Sequence, residues 1–133
     1  MELSTPRTRV LLVDDEKVIV ETLALILNAN GYETHMAFSG VQAIELASGF
    51  RPGVLITDVV MPGMTGIEAA SRIQEMIPSC HVLLLSGHAA VVDLIQQTNI
   101  DSRCRSFEIH CKPIHPQVLL GRLGQIVSAK LRN

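Results

Sequence analysis

Asp14-Asp15, Asp58, Ser86 and Lys112 each follow directly on a short, mostly apolar stretch of chain. If the fold gathers these positions, three carboxylates share one cleft with a hydroxyl and an ammonium. Such carboxylates repel and would take up protons unless a cation keeps them ionised. A hard, oxygen-liganded ion resolves this, and Mg²⁺ suits a site with few carboxylates that retains waters. The set can then do phosphoryl chemistry. A carboxylate attacks phosphorus, Mg²⁺ and a lysine neutralise the phosphoryl oxygens, and a hydroxyl hydrogen-bonds one of them. The acidic stretch after Val13 has no glycine-rich cradle for nucleotide phosphates, which points to a phosphoryl group delivered by a partner or small donor. Singly, each residue has a plainer reading. Acids favour the start of a helix, Asp58 and Ser86-Gly87 suit turns, and Lys112 suits a solvated surface. Their order at the ends of four strands, the second strand contributing none, favours the chemical reading.

The elements that must position these residues follow from hydrophobic periodicity. Strands are expected at Arg9–Val13, Glu33–Ala37, Gly53–Thr57, His81–Leu85 and Phe107–Cys111. Val54-Leu55-Ile56 and Val82-Leu83-Leu84-Leu85 do not alternate with polar residues, as expected of parallel strands covered on both faces. Between them the spacing predicts helices. Glu16–Ala29 carries Ile19, Thr22, Leu23 and Ile26 on one stripe and ends at Gly31. Ser39–Ser48 turns Ile44 and Ala47 inward. Thr65–Met76 opens with a Thr65/Glu68 capping box. A fourth helix is expected from about Ala89 to Thr98. The last helix, Pro116–Leu131, lines up Leu119, Leu123, Ile126 and Val127, and its Gly121 and Gly124 suggest close packing against the sheet.

Right-handed crossovers fold this (βα)₅ series into a doubly wound, flavodoxin-like, five-stranded parallel sheet of order 2-1-3-4-5. Ligands bind such sheets beyond the carboxyl ends of the strands, where the first and third strands adjoin. Asp14, Asp15 and Asp58 would meet there.

Composition excludes several classes. Of the 133 residues, 47% are hydrophobic and 18% charged, and the mean hydropathy is +0.32. That is too apolar for a disordered chain. Aromatic residues make up only 3%, so the core must be aliphatic. With 11 basic against 13 acidic residues, no positive field favours a phosphate backbone, and direct DNA binding is not expected. Cys80, Cys104 and Cys111 form neither a disulfide framework nor a zinc pattern. The first apolar run stops at two aspartates, and no stretch has the length of a membrane span. A cytoplasmic, membrane-free protein is expected. Residues 1–133 read as a single domain with a core of about 7–131 and no output domain.

The stretches VLLVDDE (Val10–Glu16), VLITDVVMPGMTG (Val54–Gly66), LLLSGH (Leu83–His88) and CKP (Cys111–Pro113), in this order, resemble a response-regulator receiver domain of two-component signalling. The resemblance runs from about Arg7 to Leu131. It implies that Asp58 is the phosphoacceptor. Asp15 would ligate Mg²⁺ directly, Asp14 largely through water, and Val60 through its backbone carbonyl. Ser86 would bind the phosphoryl group and Lys112 would pair with it. Pro62 and Gly66 would shape the loop after Asp58, and Pro113 would hold Lys112 through a cis bond. Val60 and His88 would tune the lifetime of the aspartyl phosphate. The implied donor is a histidine kinase or phosphotransfer protein, and the implied reader is a downstream protein effector. The chain would catalyse only its own phosphorylation and dephosphorylation, as a monomer or a weak dimer. Its signalling face would comprise the Ala89–Thr98 helix, the last strand and the last helix.

Two features depart from the family pattern. Ile109 stands where receivers usually carry Tyr or Phe, three residues before the lysine. The stretch from Ser86 to Lys112 is longer than usual and passes through the polar run Thr98–Ser106. Both bear on conformational output more than on phosphorylation. They leave an alternative reading, a non-switching docking module with a vestigial phosphosite. An aspartyl-phosphate phosphatase of the haloacid-dehalogenase type ranks last, because Asp58 has no second carboxylate two residues on. A flavin phosphate would be repelled by the acidic turn after the first strand. His35, His81, His110 and His115 read as edge or satisfied core residues.

Overall fold

The computed structural model describes residues 7–87 and 107–131. The expected helix at Ala89–Thr98, and with it His88 and Cys104, lies outside the described residues. Five strands, β1 (Arg9–Val13), β2 (Glu33–Ala37), β3 (Val54–Asp58), β4 (His81–Ser86) and β5 (Glu108–Cys111), form one sheet of order β2-β1-β3-β4-β5. Every neighbouring pair is parallel. The helices are α1 (Lys17–Ala29), α2 (Gly40–Phe50), α3 (Gly66–Met76) and α4 (Pro116–Leu131), the last of the chain.

Strand boundaries shift by one residue where it matters for the site. Asp58 and Ser86 are the final residues of β3 and β4, still inside the ladder, rather than the first residues beyond it. All of β3 is buried. Its aliphatic residues divide between two cores, as a doubly covered sheet requires. Leu55 faces α2 and α3 together with Leu11, Val82 and Leu84. Val54 and Ile56 face α1 and α4 together with Val10, Leu12, Leu83 and Leu85.

Helix termini follow local chemistry. The Ser39 hydroxyl accepts the Gln42 N–H at 3.1 Å, while the Gln42 side chain accepts the Phe38 N–H at 2.8 Å. The Thr65 hydroxyl accepts the Glu68 N–H at 3.2 Å, half of the expected capping box. Pro116 opens α4, with the His115 ring accepting the next N–H at 3.1 Å. Leu119, Leu123 and Ile126 are buried as expected.

Two expectations are corrected. The buried stripe of α1 is Val20, Ala24 and Leu27, not the one through Thr22, which is exposed. Ile19, Leu23 and Ile26 lie half-buried on the flank, because α1 is covered by the sheet on one side and meets α4 beside it. Gly121 and Gly124 are exposed, and a Cβ at either would meet nothing within 4 Å among the described residues. Close packing therefore does not explain them. Gly66 is the opposite case, for a Cβ there would stand 1.9 Å from the Asp58 carbonyl oxygen.

β5 is an edge strand with mostly half-buried residues, and polar contacts hold its outer side. Glu108 accepts from His81 Nε2 at 2.7 Å, from His110 Nε2 at 3.0 Å and from the Arg122 guanidinium of α4. Burial pushes the Glu108 carboxyl up, but the hydrogen bonds from Arg122, His110 and His81 outweigh it and bring its pKa to about 2.

Two predictions follow from these packing differences. In urea unfolding, Gly66→Ala costs about 3 kcal/mol through overpacking against backbone, whereas Gly124→Ala is neutral or stabilises by up to about 1 kcal/mol. Equal effects would refute the close approach. For Glu108, a depressed folded-state pKa gives stability that is complete above the unfolded value of 4.5 and lost as pH falls toward about 2. The stability gap between wild type and Glu108→Gln should therefore close over that window in pH-dependent thermal melts. A gap of constant size would contradict this.

Candidate functional site

The switch point of the sheet lies between β1 and β3, where the connections turn to opposite sides. At that point β1 ends in Val13 and is followed by Asp14 and Asp15, while β3 ends in Asp58. Oxygen atoms of Asp14, Asp15 and Asp58 lie within 4.8 Å of one another. Asp14 and Asp58 are buried, and Asp15 is exposed at the mouth.

Lys112 reaches this cluster from beyond β5. Its backbone N–H donates to the Ser86 carbonyl at 2.8 Å, which extends the β4–β5 ladder by one bond. Its ammonium stands 2.9 Å from Asp14 Oδ2 and 3.1 Å from Asp58 Oδ2. The Lys112–Pro113 peptide bond is cis, as the family resemblance implies. One amine thus bridges two buried acids contributed by different strands.

The electrostatics follow from that bridge. Burial raises the Asp58 carboxyl above its ordinary value, and the Asp14 charge adds to this. The Lys112 hydrogen bond and charge oppose it, as does a hydrogen bond from the Val60 backbone N–H. For Lys112, burial pulls the ammonium pKa down, but the hydrogen bonds and charges of Asp14 and Asp58 more than reverse this, and the net shift is upward. The second Asp14 oxygen accepts the Glu16 N–H at 3.0 Å, at the start of α1.

Ser86 ends β4 beside this cluster. It is 1% exposed, and its hydroxyl has no hydrogen-bond partner among the described residues. A buried hydroxyl without a partner is costly, so such a group has a use for an incoming acceptor. Three converging carboxylates and this orphaned hydroxyl fit a divalent cation with a phosphoryl group. Val60, at the loop that follows Asp58, is 67% exposed at the mouth.

Of the site residues read from the sequence, Asp14, Asp15, Asp58, Val60, Ser86 and Lys112 all fall at this end of the sheet. Phe38-Ser39, after β2, adds no ligand there: Ser39 caps α2, and the Phe38 ring lies under the Lys17 ammonium at 5.5 Å. Sequence reasoning missed Thr57, treated only as the end of a strand, although its hydroxyl donates to the Asp58 carbonyl at 3.0 Å. A Thr directly before an acidic strand end was the available signal.

A five-stranded parallel sheet of this order, with an acidic cluster and a lysine across its switch point, defines the flavodoxin-like receiver fold. Comparison with known proteins agrees. The response regulator receiver domain family matches residues 10–123. The DNA-binding response regulator MtrA of Mycobacterium tuberculosis (strain ATCC 25618 / H37Rv) is 28% identical over 130 residues, covering 98% of this chain and 53% of that protein. Response regulator MprA of Mycobacterium ulcerans (strain Agy99) is 32% identical over 87 residues, 65% of this chain and 38% of that protein. Among solved structures, a response regulator receiver domain protein from Clostridium thermocellum superposes with a TM-score of 0.80 at 25% identity, covering 92% of this chain and 96% of that one. The chain belongs to the response regulator receiver family of two-component systems. It spans about half the length, or less, of these curated relatives.

The ion pair is testable by titration. Lys112→Met leaves Asp14 and Asp58 facing one another without the ammonium, so Asp58 should titrate at higher pH than in wild type, read from its carboxyl ¹³C shift. A folded-state pKa raised further above the unfolded value means that the variant gains stability as pH falls through it. An unchanged Asp58 midpoint would remove Lys112 as its counter-charge.

Proposed function

We propose that this chain is a phosphoacceptor receiver that takes a phosphoryl group from a phosphohistidine donor onto Asp58. The observation that carries the reading is the Lys112 ammonium held at 2.9 and 3.1 Å between Asp14 and Asp58, beside a buried Ser86 hydroxyl that has no partner among the described residues. In the transfer, an Asp58 carboxylate oxygen bonds to phosphorus as the phosphorus–nitrogen bond of the donor breaks. The imidazole leaves and its ring is reprotonated from solvent. Lys112 moves its hydrogen bond to a phosphoryl oxygen, and the Ser86 hydroxyl donates to another. Mg²⁺, held by Asp14, Asp15, Asp58 and the Val60 carbonyl, would supply the charge that offsets the phosphoryl oxygens.

The donor is a histidine kinase or phosphotransfer protein, and the output is a changed surface read by a protein effector. On this reading the chain turns over no separate substrate and catalyses only its own phosphorylation and dephosphorylation. It works in the cytoplasm as a monomer or weak dimer. Among the described residues no helix is long and apolar enough to cross a membrane, which accords with that location. Direct DNA contact is not part of the reading.

One observation favours the second reading, a docking module that does not switch. Ile109, not a Tyr or Phe, packs against the core that faces α2 and α3, and the nearest Tyr or Phe in the chain, Phe107, is itself buried in that core. Incubation with acetyl phosphate and Mg²⁺, followed by intact mass measurement, tests the first reading. Wild type should gain one phosphoryl mass and Asp58→Asn none. No gain in wild type, or equal labelling of both, sinks it. Amide shifts on adding Mg²⁺ and beryllofluoride separate the two readings, since only a switch carries changes beyond the site into β5 and residues 89–98.

A further inference from the structure

We propose that Thr57 is a positioning residue of the phosphosite, whose hydroxyl fixes the backbone from which the Asp58 carboxylate and the Val60 carbonyl are aimed. The inference rests on the phosphoacceptor reading and adds a residue to its machinery.

Register supplies the first argument. The β1–β3 ladder stops at Val13 and Thr57, so Asp58 lies one residue past the last β1 pairing. On its other side β3 still pairs with β4 through Asp58 and Leu85, and the Val59 N–H reaches the Leu85 carbonyl at 3.0 Å. The Asp58 carbonyl is therefore a buried acceptor at a strand end, where the ladder no longer provides a donor. The Thr57 hydroxyl fills that role at 3.0 Å, from a side chain that is 0% exposed.

The loop that returns at Gly66 supplies the second. The Gly66 N–H donates to the Val59 carbonyl at 2.9 Å, so two consecutive carbonyls, those of Asp58 and Val59, each have a fixed donor. The Gly66 Cα lies hard against the same peptide, since a Cβ there would sit 1.9 Å from the Asp58 oxygen and 3.1 Å from Thr57 Oγ1. Thr57 and Gly66 thus clamp the Asp58–Val59 peptide from two directions.

What the clamp aims is the reacting group. The Val60 backbone N–H lies near enough to the Asp58 carboxylate to lower its pKa, so the chain leaving the clamped peptide passes close to the side chain that precedes it. Rotation of the Asp58–Val59 peptide would move that N–H, and the Val60 carbonyl with it. A hydroxyl, not merely a β-branched shape, is required for this. Valine matches threonine in shape but leaves the carbonyl without its donor.

The test compares wild type, Thr57→Val and Thr57→Ser. Mg²⁺ affinity is read from amide shifts of Val59, Val60 and Gly66, Asp58 labelling by acetyl phosphate from intact mass, and folding from thermal melts. Thr57→Val should stay folded at the assay temperature, while its Mg²⁺ affinity or labelling rate falls about tenfold or more, the scale expected when a reacting group is misplaced. Thr57→Ser, which keeps the hydroxyl, should recover to within about threefold of wild type on the same argument. A Thr57→Val protein that binds Mg²⁺ and labels like wild type overturns the proposal. So does a Thr57→Ser protein as impaired as Thr57→Val, because the effect then belongs to the methyl packing. If Thr57→Val is unfolded, recovery by Thr57→Ser decides for the hydroxyl, and its impairment decides against. If wild type binds Mg²⁺ but is not labelled, the phosphoacceptor reading fails while the Mg²⁺ affinities still judge Thr57. A wild type that does neither overturns both.

Discussion

Everything at the functional end of this protein depends on compensating two buried carboxylates with one ammonium. Asp14 and Asp58 come from adjacent strands in an aliphatic sheet, and each lies below one-tenth exposure. An uncompensated pair there would take up protons more readily. Lys112 opposes this from the far side of β4, two strands away from Asp58 in the sheet order. The lysine can do so only because its backbone is bonded to the Ser86 carbonyl at the end of β4. The charge balance of the switch point is thus set by the attachment of the edge strand.

That attachment is secured in a manner unlike the rest of the sheet. β3 and β4 are held by apolar burial on both faces, but β5 has mostly half-buried residues. Its outer side relies on Glu108, which gathers His81 from β4, His110 from β5 itself and Arg122 from α4. Ile109 points to the opposite core and packs there. Alternation along four residues therefore ties β5 to both layers, with a polar clamp on one face and an aliphatic contact on the other.

The fold was legible because its signal is long and redundant. Unbroken apolar runs such as Val82–Leu85, bounded by turn residues and alternating with helical spacing, fit covered parallel strands. The order of strand-end residues pointed to the end of the sheet where Asp14, Asp15 and Asp58 converge. What escaped was local or distant. One-residue boundary shifts at Asp58 and Ser86 depend on ladder bonds to neighbouring strands, which periodicity does not encode. The stripe on α1 was misjudged because Ile19, Leu23 and Ile26 are as apolar as the buried Val20, Ala24 and Leu27, and only the position of α4 distinguishes them. The Glu108 cluster joins residues 14 and 27 positions apart, and no spacing rule links a strand glutamate to a helix arginine over that distance.

The polar clamp and the aliphatic contact on β5 differ in physical kind. If Lys112 turns from the carboxylates toward a new anion, its backbone is pulled along β5 and Pro113. Ile109 resists by losing dispersion contacts, which fall off smoothly over fractions of an ångström. Glu108 resists through directional, charge-assisted bonds to Arg122, which either move α4 with the strand or break. With isoleucine at position 109, β5 is joined to α4 through Glu108 and Arg122 and to the core facing α2 and α3 through Ile109.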